Sequence, residues 1–363
     1  MDKHIFVGFG FGPIQAGLFV NEAYKSGNFS RMVISEVDQK LVDAVRANKG
    51  CYYINVAKNN GIETFQIKGI EIFNPSVDND RAELIKAISQ STELCTSLPS
   101  VNFYDKGVVQ LIKDGLSKIH NIIIYTAENN NHAAEILEQK VGSFKNVQFL
   151  NTVIGKMSQV ITDKEEIQRK NIKTIVPGID RAFLVEEFNK ILVTKCHIPN
   201  FTPGIKVFIE KEDLLPFEEA KLYGHNAIHA LLAYLGAQKG YKKMAELKND
   251  REIMQVASDA FKKESGAALI KKYSHLKDEL FTEEGYRSYA EDLLERMTNS
   301  YLDDTIERAA RDPQRKLGEN DRIFGTIKLA KEYGIDPVNM TKAAEAGMKY
   351  LRKANDLKVN PSL

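Results

Sequence analysis

Cysteines are few in this sequence, and the three present lie far apart. Cys51, Cys95 and Cys196 form neither a CxxC metal-binding pair nor the dense framework of a disulfide-stabilised secreted domain. We therefore expect three unpaired thiols and, because unpaired thiols persist in a reducing compartment, a cytoplasmic location. The composition is otherwise that of a globular protein, with 43% hydrophobic and 27% charged residues.

The sequence also lacks an excess of charge and a long hydrophobic run. Its 50 basic and 49 acidic residues leave a net charge of +1, which gives no electrostatic footprint for nucleic acid. The apolar stretch that begins at Phe6 is interrupted within a few residues by glycines and Pro13. We therefore expect no signal peptide, no transmembrane span and no nucleic-acid or membrane partner.

The pattern of apolar residues divides the chain into two parts. The first alternates predicted helices (residues 14–26, 37–48, 80–89, 108–118 and 131–140) with predicted strands at residues 4–7, 31–35, 51–56, 67–73, 93–97, 121–126, 147–150, 173–176 and 191–193. After Pro203 the pattern predicts only helices, at residues 217–238, 243–265, 267–273, 282–298, 304–311, 322–333 and 339–354. The predicted fold is therefore α/β, with a Rossmann-type nucleotide-binding domain at residues 1–205 and an all-α C-terminal domain at residues 206–363.

A glycine-rich turn follows the first predicted strand. In a doubly wound sheet such a turn brings backbone N–H groups and a helix N-terminus against a pyrophosphate. The match to G-x-G-x-x-G is imperfect, since Pro13 stands at the third glycine position, and many glycine turns bind nothing. Its place at the first strand–helix junction still favours a dinucleotide site, with candidate residues Gly8, Gly10, Phe11 and Gly12.

Glu36 ends the second predicted strand, about 20 residues beyond the glycines. An acidic residue there commonly hydrogen-bonds the adenosine ribose hydroxyls and repels the 2′-phosphate of NADP. We therefore expect NAD to be the cofactor. The alternative is that Glu36 caps the following helix, a role for which Asp38 is an equally good candidate.

Polar side chains gather on one face of the helix predicted at residues 217–238. At about 100° per residue, one arc carries an acid, a lysine, two imidazoles and an amide: Glu218, Lys221, His225, His229 and Asn226. Periodicity alone leaves an ordinary solvated face open. Two histidines and an asparagine are unusual there, because Glu, Lys and Gln dominate such faces.

A metal site on this helix is disfavoured. The H-E-x-x-H motif needs a glutamate directly after the first histidine, and this chain has Asn226 after His225. No third ligand is obvious either. We therefore expect no metal.

The spacing Lys221-x4-Asn226-x2-His229 resembles the K-x4-N-x2-H signature of the polyol-specific long-chain dehydrogenases, the mannitol dehydrogenase family. The likeness continues in residues 233–236, 264–267 and 311–317 and in Glu128-Asn129. It implies a zinc-free mechanism. Lys221 would be the general base, Asn226 and Asn129 would donate hydrogen bonds to the developing alkoxide, and His229 would orient the substrate. The resemblance also implies an acid just before the lysine as proton relay, and Glu218 and Glu219 compete for that role.

The segment at residues 308–322 is rich in cations, which suit a phosphate or carboxylate: Arg308, Arg311, Arg315, Lys316 and Arg322. Arg315 and Lys316 are the best substrate-binding candidates, since they lie in the family-like R-K-L, although neighbouring acids allow ordinary ion pairing. The chain is also short, as in the sugar-phosphate branch of the family. The resemblance thus implies interconversion of D-mannitol 1-phosphate and D-fructose 6-phosphate by a monomer or dimer.

Two alternatives stay open. One is a dehydrogenase of an unphosphorylated polyol or a hexonate; the other is a catalytically silent NAD-binding regulatory protein. Gly155 and Lys156 stand where the family usually has Asp-Arg, which puts the exact substrate in doubt. Either way the partner is a small sugar alcohol or sugar phosphate.

Overall fold

A computed structural model describes residues 4–116 and 120–359, with side chains up to residue 355. The chain divides into two compact units, residues 1–214 and 215–363. The sequence places the boundary at residue 205, but a strand at Ile209–Lys211 pairs with Leu192–Thr194 and so belongs to the first unit.

Two sheets form the first unit. Their strands are β1 (His4–Phe9), β2 (Phe29–Ser35), β3 (Tyr52–Ala57), β4 (Ile62–Ile67), β5 (Glu71–Phe73), β6 (Glu93–Thr96), β7 (Ile122–Thr126), β8 (Val147–Val153), β9 (Ser158–Ile161), β10 (Ala182–Glu186), β11 (Leu192–Thr194) and β12 (Ile209–Lys211). The main sheet has the order β12-β11-β8-β7-β6-β1-β2-β5, and the smaller one β4-β3-β10-β9. Helical segments connect them, at Gln15–Phe19, Val20–Ser26, Gln39–Ala47, Asp78–Gln90, Val101–Phe103, Tyr104–Val108, Val109–Gly115, Ala133–Val141 and Lys164–Arg169.

Six neighbouring strands of the main sheet run parallel, in the order β8-β7-β6-β1-β2-β5. This is the strand order of a doubly wound fold. Their side chains alternate between two apolar clusters. Phe6 of β1 joins the cluster that also holds Tyr52 and Phe183 of the small sheet, whereas Val7 packs with Leu84 and other helical residues on the opposite face. The predicted Rossmann-type fold is confirmed.

Several predicted elements of the first unit are wrong. Residues 173–176 form no strand, and the strand predicted at residues 67–73 divides into β4, which pairs antiparallel with β3, and β5, which joins the main sheet. The small sheet also contains β9 and β10, which the prediction left out although four of the five residues of β10 are apolar. The predicted end of the helix at residues 108–118 falls at residues 117 and 118, outside the described residues.

Helices joined by loops form the second unit over residues 215–359. Its segments are Leu215–Glu219, Ala220–Asn226, Ala227–Lys239, Met244–Asn249, Arg251–Asp259, Ala260–Gly266, Ala267–Tyr273, Ser274–Leu276, Glu279–Phe281, Glu283–Met297, Ile306–Ala310, Pro313–Lys316, Phe324–Glu332 and Val338–Val359. Thr282 caps Glu283–Met297 by accepting a hydrogen bond from the Gly285 amide, as its position predicts. The all-α second domain is therefore confirmed. Among residues 4–116 and 120–359, no helix combines the length and apolar character that crossing a membrane needs.

Gln15 begins a π-helical segment after β1, and its side chain is fully buried. Among residues 4–116 and 120–359, neither amide atom finds a hydrogen-bond partner. The amide lies over Gly8 of β1, where an added Cβ would come within 1.9 Å of Gln15 Nε2. A glycine in the strand thus makes room for a glutamine in the helix, and the buried amide costs stability because it has lost its hydrogen bonds to water.

We predict that Gln15→Met stabilises the protein by about 1–2 kcal/mol, since methionine keeps the length of the side chain and removes the unsatisfied amide. Thermal denaturation of the purified protein measures the change. Gln168→Met, at an exposed helical position, is the matched control and should leave the melting temperature unchanged. A lower melting temperature for Gln15→Met would contradict the interpretation of this amide as unsatisfied.

Candidate functional site

A cleft opens at the carboxyl ends of β1 and β6, where the strand order of the main sheet reverses. Ligands of doubly wound sheets bind at this switch point. The chain leaves β1 through Gly10, whose φ of +82° lies in the left-handed region, and a Cβ there would come within 2.8 Å of the Ser97 carbonyl oxygen. Only glycine suits this turn.

The strand continues to Phe9, two residues beyond its predicted end. Gly8 therefore lies inside β1 and not in the turn. This position corrects the prediction that Gly8 belongs to the cofactor-binding turn. The turn glycines are Gly10 and Gly12, and Gln15 takes the third fingerprint position. Pro13 is the first helical residue, where its missing N–H costs nothing.

The cleft has a volume of about 560 Å³ and lies wholly within the first unit. Gly10, Phe11 and Gly12 line it, and a Cβ added at Gly12 would meet nothing within 4 Å. The start of the helix thus faces open space, which fits the approach of a pyrophosphate to backbone amides.

Glu36 lines the same cleft at the end of β2. One carboxylate oxygen accepts from the Phe11 amide and the other from the Asp38 amide, both at 2.9 Å. Asp38 itself caps the next helix by accepting from the Leu41 amide and pairs with Arg181 at 2.9 Å. Glu36 is therefore not the helix cap, and its remaining lone pairs can accept the ribose hydroxyls of a dinucleotide.

Glu128, which follows β7, is a buried carboxylate that the sequence interpretation left without a role. It accepts hydrogen bonds from the Thr96 hydroxyl, the Leu98 amide and the Tyr104 hydroxyl, at 2.9, 2.9 and 2.5 Å. Burial raises its pKa. One side chain thus joins the end of β6, the cleft-lining segment after Tyr104 and the turn that carries Asn129. The family-like pair Glu128-Asn129 was the feature of the sequence that could have pointed to this carboxylate.

In the second unit, the helix at residues 215–239 contains a π-helical turn at Ala220–Asn226. Its hydrogen bonds skip five residues instead of four, so the regular wheel assumed from the sequence does not hold here. Such turns occur frequently at functional sites. Lys221 and Asn226 stand at the two ends of this turn, and both side chains are partly buried.

Burial lowers the pKa of Lys221 to about 8; Glu218 opposes the shift and Arg322 adds to it. Burial also lowers the pKa of His225, which is only 8% exposed. With Glu218 buried too, this face of the helix is not an ordinary solvated surface.

The two adjacent acids before Lys221 have different surroundings. Glu219 binds Lys272 at 2.8 Å and the Tyr273 hydroxyl at 2.7 Å, which commits it to a local cluster. Glu218 is buried, and its charge acts on Lys221. Glu218 is therefore the better placed of the two to exchange a proton with the lysine.

His229 Nε2 lies 3.2 Å from Asp304 Oδ2. Arg308 donates to both oxygens of Asp304, at 2.5 and 2.6 Å, so one buried carboxylate orients an imidazole and a guanidinium. Contacts with His229 and Arg308 hold the pKa of Asp304 well below its usual range despite burial. No role for Asp304 is apparent in the sequence, because its partner His229 lies 75 positions away.

The cation-rich segment divides by burial. Arg315 is half exposed and pairs with Asp312 at 2.6 Å and Asp321 at 3.3 Å, as the ion-pairing alternative predicts. Lys316 is buried and donates to the Ala309 carbonyl, and burial lowers its pKa to about 8. Arg322 is buried as well, at 9% exposure. Within the described ranges, no three His, Cys, Asp or Glu side chains form a group that could hold a metal ion.

Comparisons with known proteins match both units. The model of the mannitol dehydrogenase C-terminal domain matches residues 213–361. A mannitol-1-phosphate 5-dehydrogenase of Buchnera aphidicola is 31% identical over 365 residues, covering 96% of this chain and 87% of the relative. The protein of that name from Thermoanaerobacter pseudethanolicus is 30% identical, covering 95% and 85%.

This chain belongs to the mannitol dehydrogenase family. The resemblance inferred from Lys221, Asn226 and His229 is therefore confirmed, and the protein is an enzyme of the polyol dehydrogenase class. Among solved structures, substrate-free D-sorbitol dehydrogenase matches with a TM-score of 0.77 at 13% identity, covering 96% of this chain and 81% of that one. Mannitol 2-dehydrogenase of Pseudomonas fluorescens, in a ternary complex with NAD and D-mannitol, gives 0.69 at 15%, covering 96% and 79%. These two matches show the shared fold.

Some family-like residues hold this mannitol dehydrogenase family member together. Glu264 accepts from the amides of Asn339 and Met340 at 2.8 and 2.9 Å, which caps the C-terminal helix. Lys156, at the departure from the family's Asp-Arg, is buried and donates to the carbonyls of Glu186 and Phe188. These contacts give Lys156 a structural role in the first unit.

We predict that Asp304→Asn destabilises the protein by about 3 kcal/mol, because it leaves Arg308 and His229 without their buried counter-charge. A depressed carboxylate pKa contributes stability above the unfolded value, near 3.9, and loses it as pH falls through the folded value. The gap between wild type and Asp304→Asn should therefore persist at pH 7 and begin to narrow only below about pH 4. Urea denaturation at several pH values measures it.

The matched control is Asp292→Asn. Asp292 is exposed and pairs with Arg296 at 3.0 Å on one helix, so this change should cost less than about 1 kcal/mol. Equal losses in the two variants would mean that Asp304 contributes no more than a surface pair.

Proposed function

We propose that this protein is an NAD-dependent dehydrogenase that interconverts D-mannitol 1-phosphate and D-fructose 6-phosphate, with a lysine base and no metal. The observation that carries the proposal is Lys221, a partly buried lysine with a pKa near 8 on the same helix as Asn226 and His229. The 31% identity with a mannitol-1-phosphate 5-dehydrogenase supports the phosphorylated substrate.

The residues of the first-unit cleft fit NAD. Gly10, Phe11 and Gly12 would hold the pyrophosphate, and Glu36 the adenosine ribose. Arg181 also lines the cleft, but its charge is paired with Asp38. Glu36 therefore still disfavours the 2′-phosphate of NADP. Bound NAD supplies the hydride acceptor for the oxidation of a secondary alcohol.

Lys221 would take the hydroxyl proton of the alcohol. At its ordinary pKa, near 10.4, a lysine is almost fully protonated at neutral pH and is a poor base. A pKa of about 8 leaves a useful neutral fraction under the same conditions. Glu218 would then carry the proton from Lys221 towards water.

Amide donors would stabilise the negative charge that develops on the substrate oxygen. Asn226, at the end of the π-helical turn, is one; Asn129 of the first unit is the proposed second. His229 would orient the substrate hydroxyls. Since Asp304 engages Nε2 of His229, Nδ1 is the ring atom left to contact substrate.

Lys316 is the stronger of the two substrate-binding candidates predicted for the cation-rich segment. It is buried and donates to the neutral Ala309 carbonyl, so its positive charge stays available to an anion. Arg315 could bind substrate only by exchanging its contacts with Asp312 and Asp321.

We predict NADH oxidation with fructose 6-phosphate at a kcat/KM at least about tenfold above that with fructose or fructuronate, because one charge-assisted hydrogen bond to phosphate contributes about 1.5–3 kcal/mol. Absorbance at the NADH band, with the three substrates side by side, measures this. Activity only on fructose or fructuronate would replace the proposed substrate by an unphosphorylated polyol or a hexonate. No turnover of any substrate, with NAD still bound, would favour the silent regulatory protein.

We predict that kcat/KM for alcohol oxidation rises with pH and levels off above about 8, since only neutral Lys221 accepts a proton. The reverse reduction needs the protonated lysine and should fall over the same range. Lys221→Ala should lower kcat about 10²–10⁴-fold and remove the pH step, with the Kd for NAD unchanged. Steady-state kinetics from pH 6 to 10 and NAD titration measure both.

Lys331→Ala, at an exposed position of Phe324–Glu332, is the control and should keep wild-type kinetics. Unchanged turnover in Lys221→Ala would contradict the assignment of the base. A pH step that persists in that variant would assign the titration to another group.

A further inference from the structure

Arg322 is a buried arginine just before the helix Phe324–Glu332. Its Nε donates to Asp321 Oδ1 at 2.8 Å, and its backbone amide donates to the same oxygen. Within the described part of the chain, its two terminal guanidinium nitrogens have no hydrogen bond. Asp321 thus orients Arg322 while two nitrogens of the guanidinium remain available to a ligand.

Contacts with the catalytic helix fix the position of Arg322. The Thr326 hydroxyl lies 2.6 Å from the Arg322 carbonyl oxygen and 3.2 Å from that of Tyr223, in the π-helical turn. A Cβ at Gly325 would come within 2.7 Å of the Tyr223 ring. The backbone around Arg322 is therefore packed directly against the turn that carries Lys221.

Arg322 acts electrostatically on two other cations. Its positive charge lowers the pKa values of Lys221 and Lys316, while Glu218 and Asp312 act in the opposite direction. Asp321 also pairs with Arg315 and is therefore shared. Burying like charges together costs free energy, which a bound anion recovers.

We propose that Arg322, together with Lys316, binds the phosphate group of the substrate and selects phosphorylated over unphosphorylated sugars. A guanidinium fork matches two phosphate oxygens, and an ammonium group adds a point charge. This assignment rests on the proposed function, since it deepens the substrate class of that site. It moves the main phosphate contact from Arg315, which is half exposed and doubly paired, to Arg322.

The first test is Arg322→Gln with two substrates. We expect the KM for fructose 6-phosphate to rise about 10–100-fold, the effect of losing a charge-assisted hydrogen-bonded contact. The kcat/KM for fructose and the Kd for NADH should stay within about twofold. Arg322→Lys, which keeps the charge but loses the fork, should recover only part of the loss.

The control is Arg287→Gln, at an exposed position of Glu283–Met297, which should keep wild-type kinetics. Circular dichroism and the melting temperature establish that each variant is folded. Should Arg322→Gln fail to fold, Arg322→Lys carries the kinetic comparison. Equal losses on fructose 6-phosphate and fructose would overturn the assignment, because Arg322 would then act on the reacting centre.

A second measurement keeps this inference separate from the proposed function. Inorganic phosphate should raise the melting temperature of the wild-type protein and protect Arg322→Gln much less. If wild type reduces only fructose, the proposed substrate fails, and phosphate protection still tests the anion site. Equal phosphate protection of wild type and Arg322→Gln would overturn the role of Arg322.

Discussion

The burial of positive charge is the constraint on which the second unit depends. Lys221, Lys316 and Arg322 are each withdrawn from water, and Arg322 raises the cost of charging the two lysines. Burial, with a smaller contribution from Arg322, leaves Lys221 near the pKa that a base needs at neutral pH. The buried positive charge also prepares the region for an anion.

Carboxylate groups orient the cationic side chains by accepting their hydrogen bonds. Asp304 orients His229 and Arg308, and Asp321 orients Arg322. In the first unit Glu128 does the same for neutral donors, as it ties the end of β6 to Tyr104 beside the cleft. Asp304 and Glu128 thereby connect segments that are distant in sequence, whereas Asp321 orients the residue next to it.

Prediction from sequence succeeded where local pattern decides structure. The parallel strands β1 and β7 are largely buried and contain the apolar runs Ile5–Val7 and Ile122–Tyr125. It failed for the small sheet, in which β3 pairs with β10, more than a hundred residues later. The glycine turn was read two residues early, because only the pairing of Gly8 and Phe9 with β2 and β6 shows that the strand continues to Phe9.

The sequence by itself determined the two kinds of unit, through the periodicity of its apolar residues, and the family, through the resemblance of Lys221, Asn226 and His229 to the K-x4-N-x2-H signature. The tertiary structure decided which neighbours act on that set. It distinguished Glu219, which binds Lys272 and Tyr273, from Glu218. It also distinguished the buried Arg322 from Arg315, which forms an exposed ion pair. The physical reason is that a side chain's charge state depends on burial and on partners, and folding brings those partners from far along the chain.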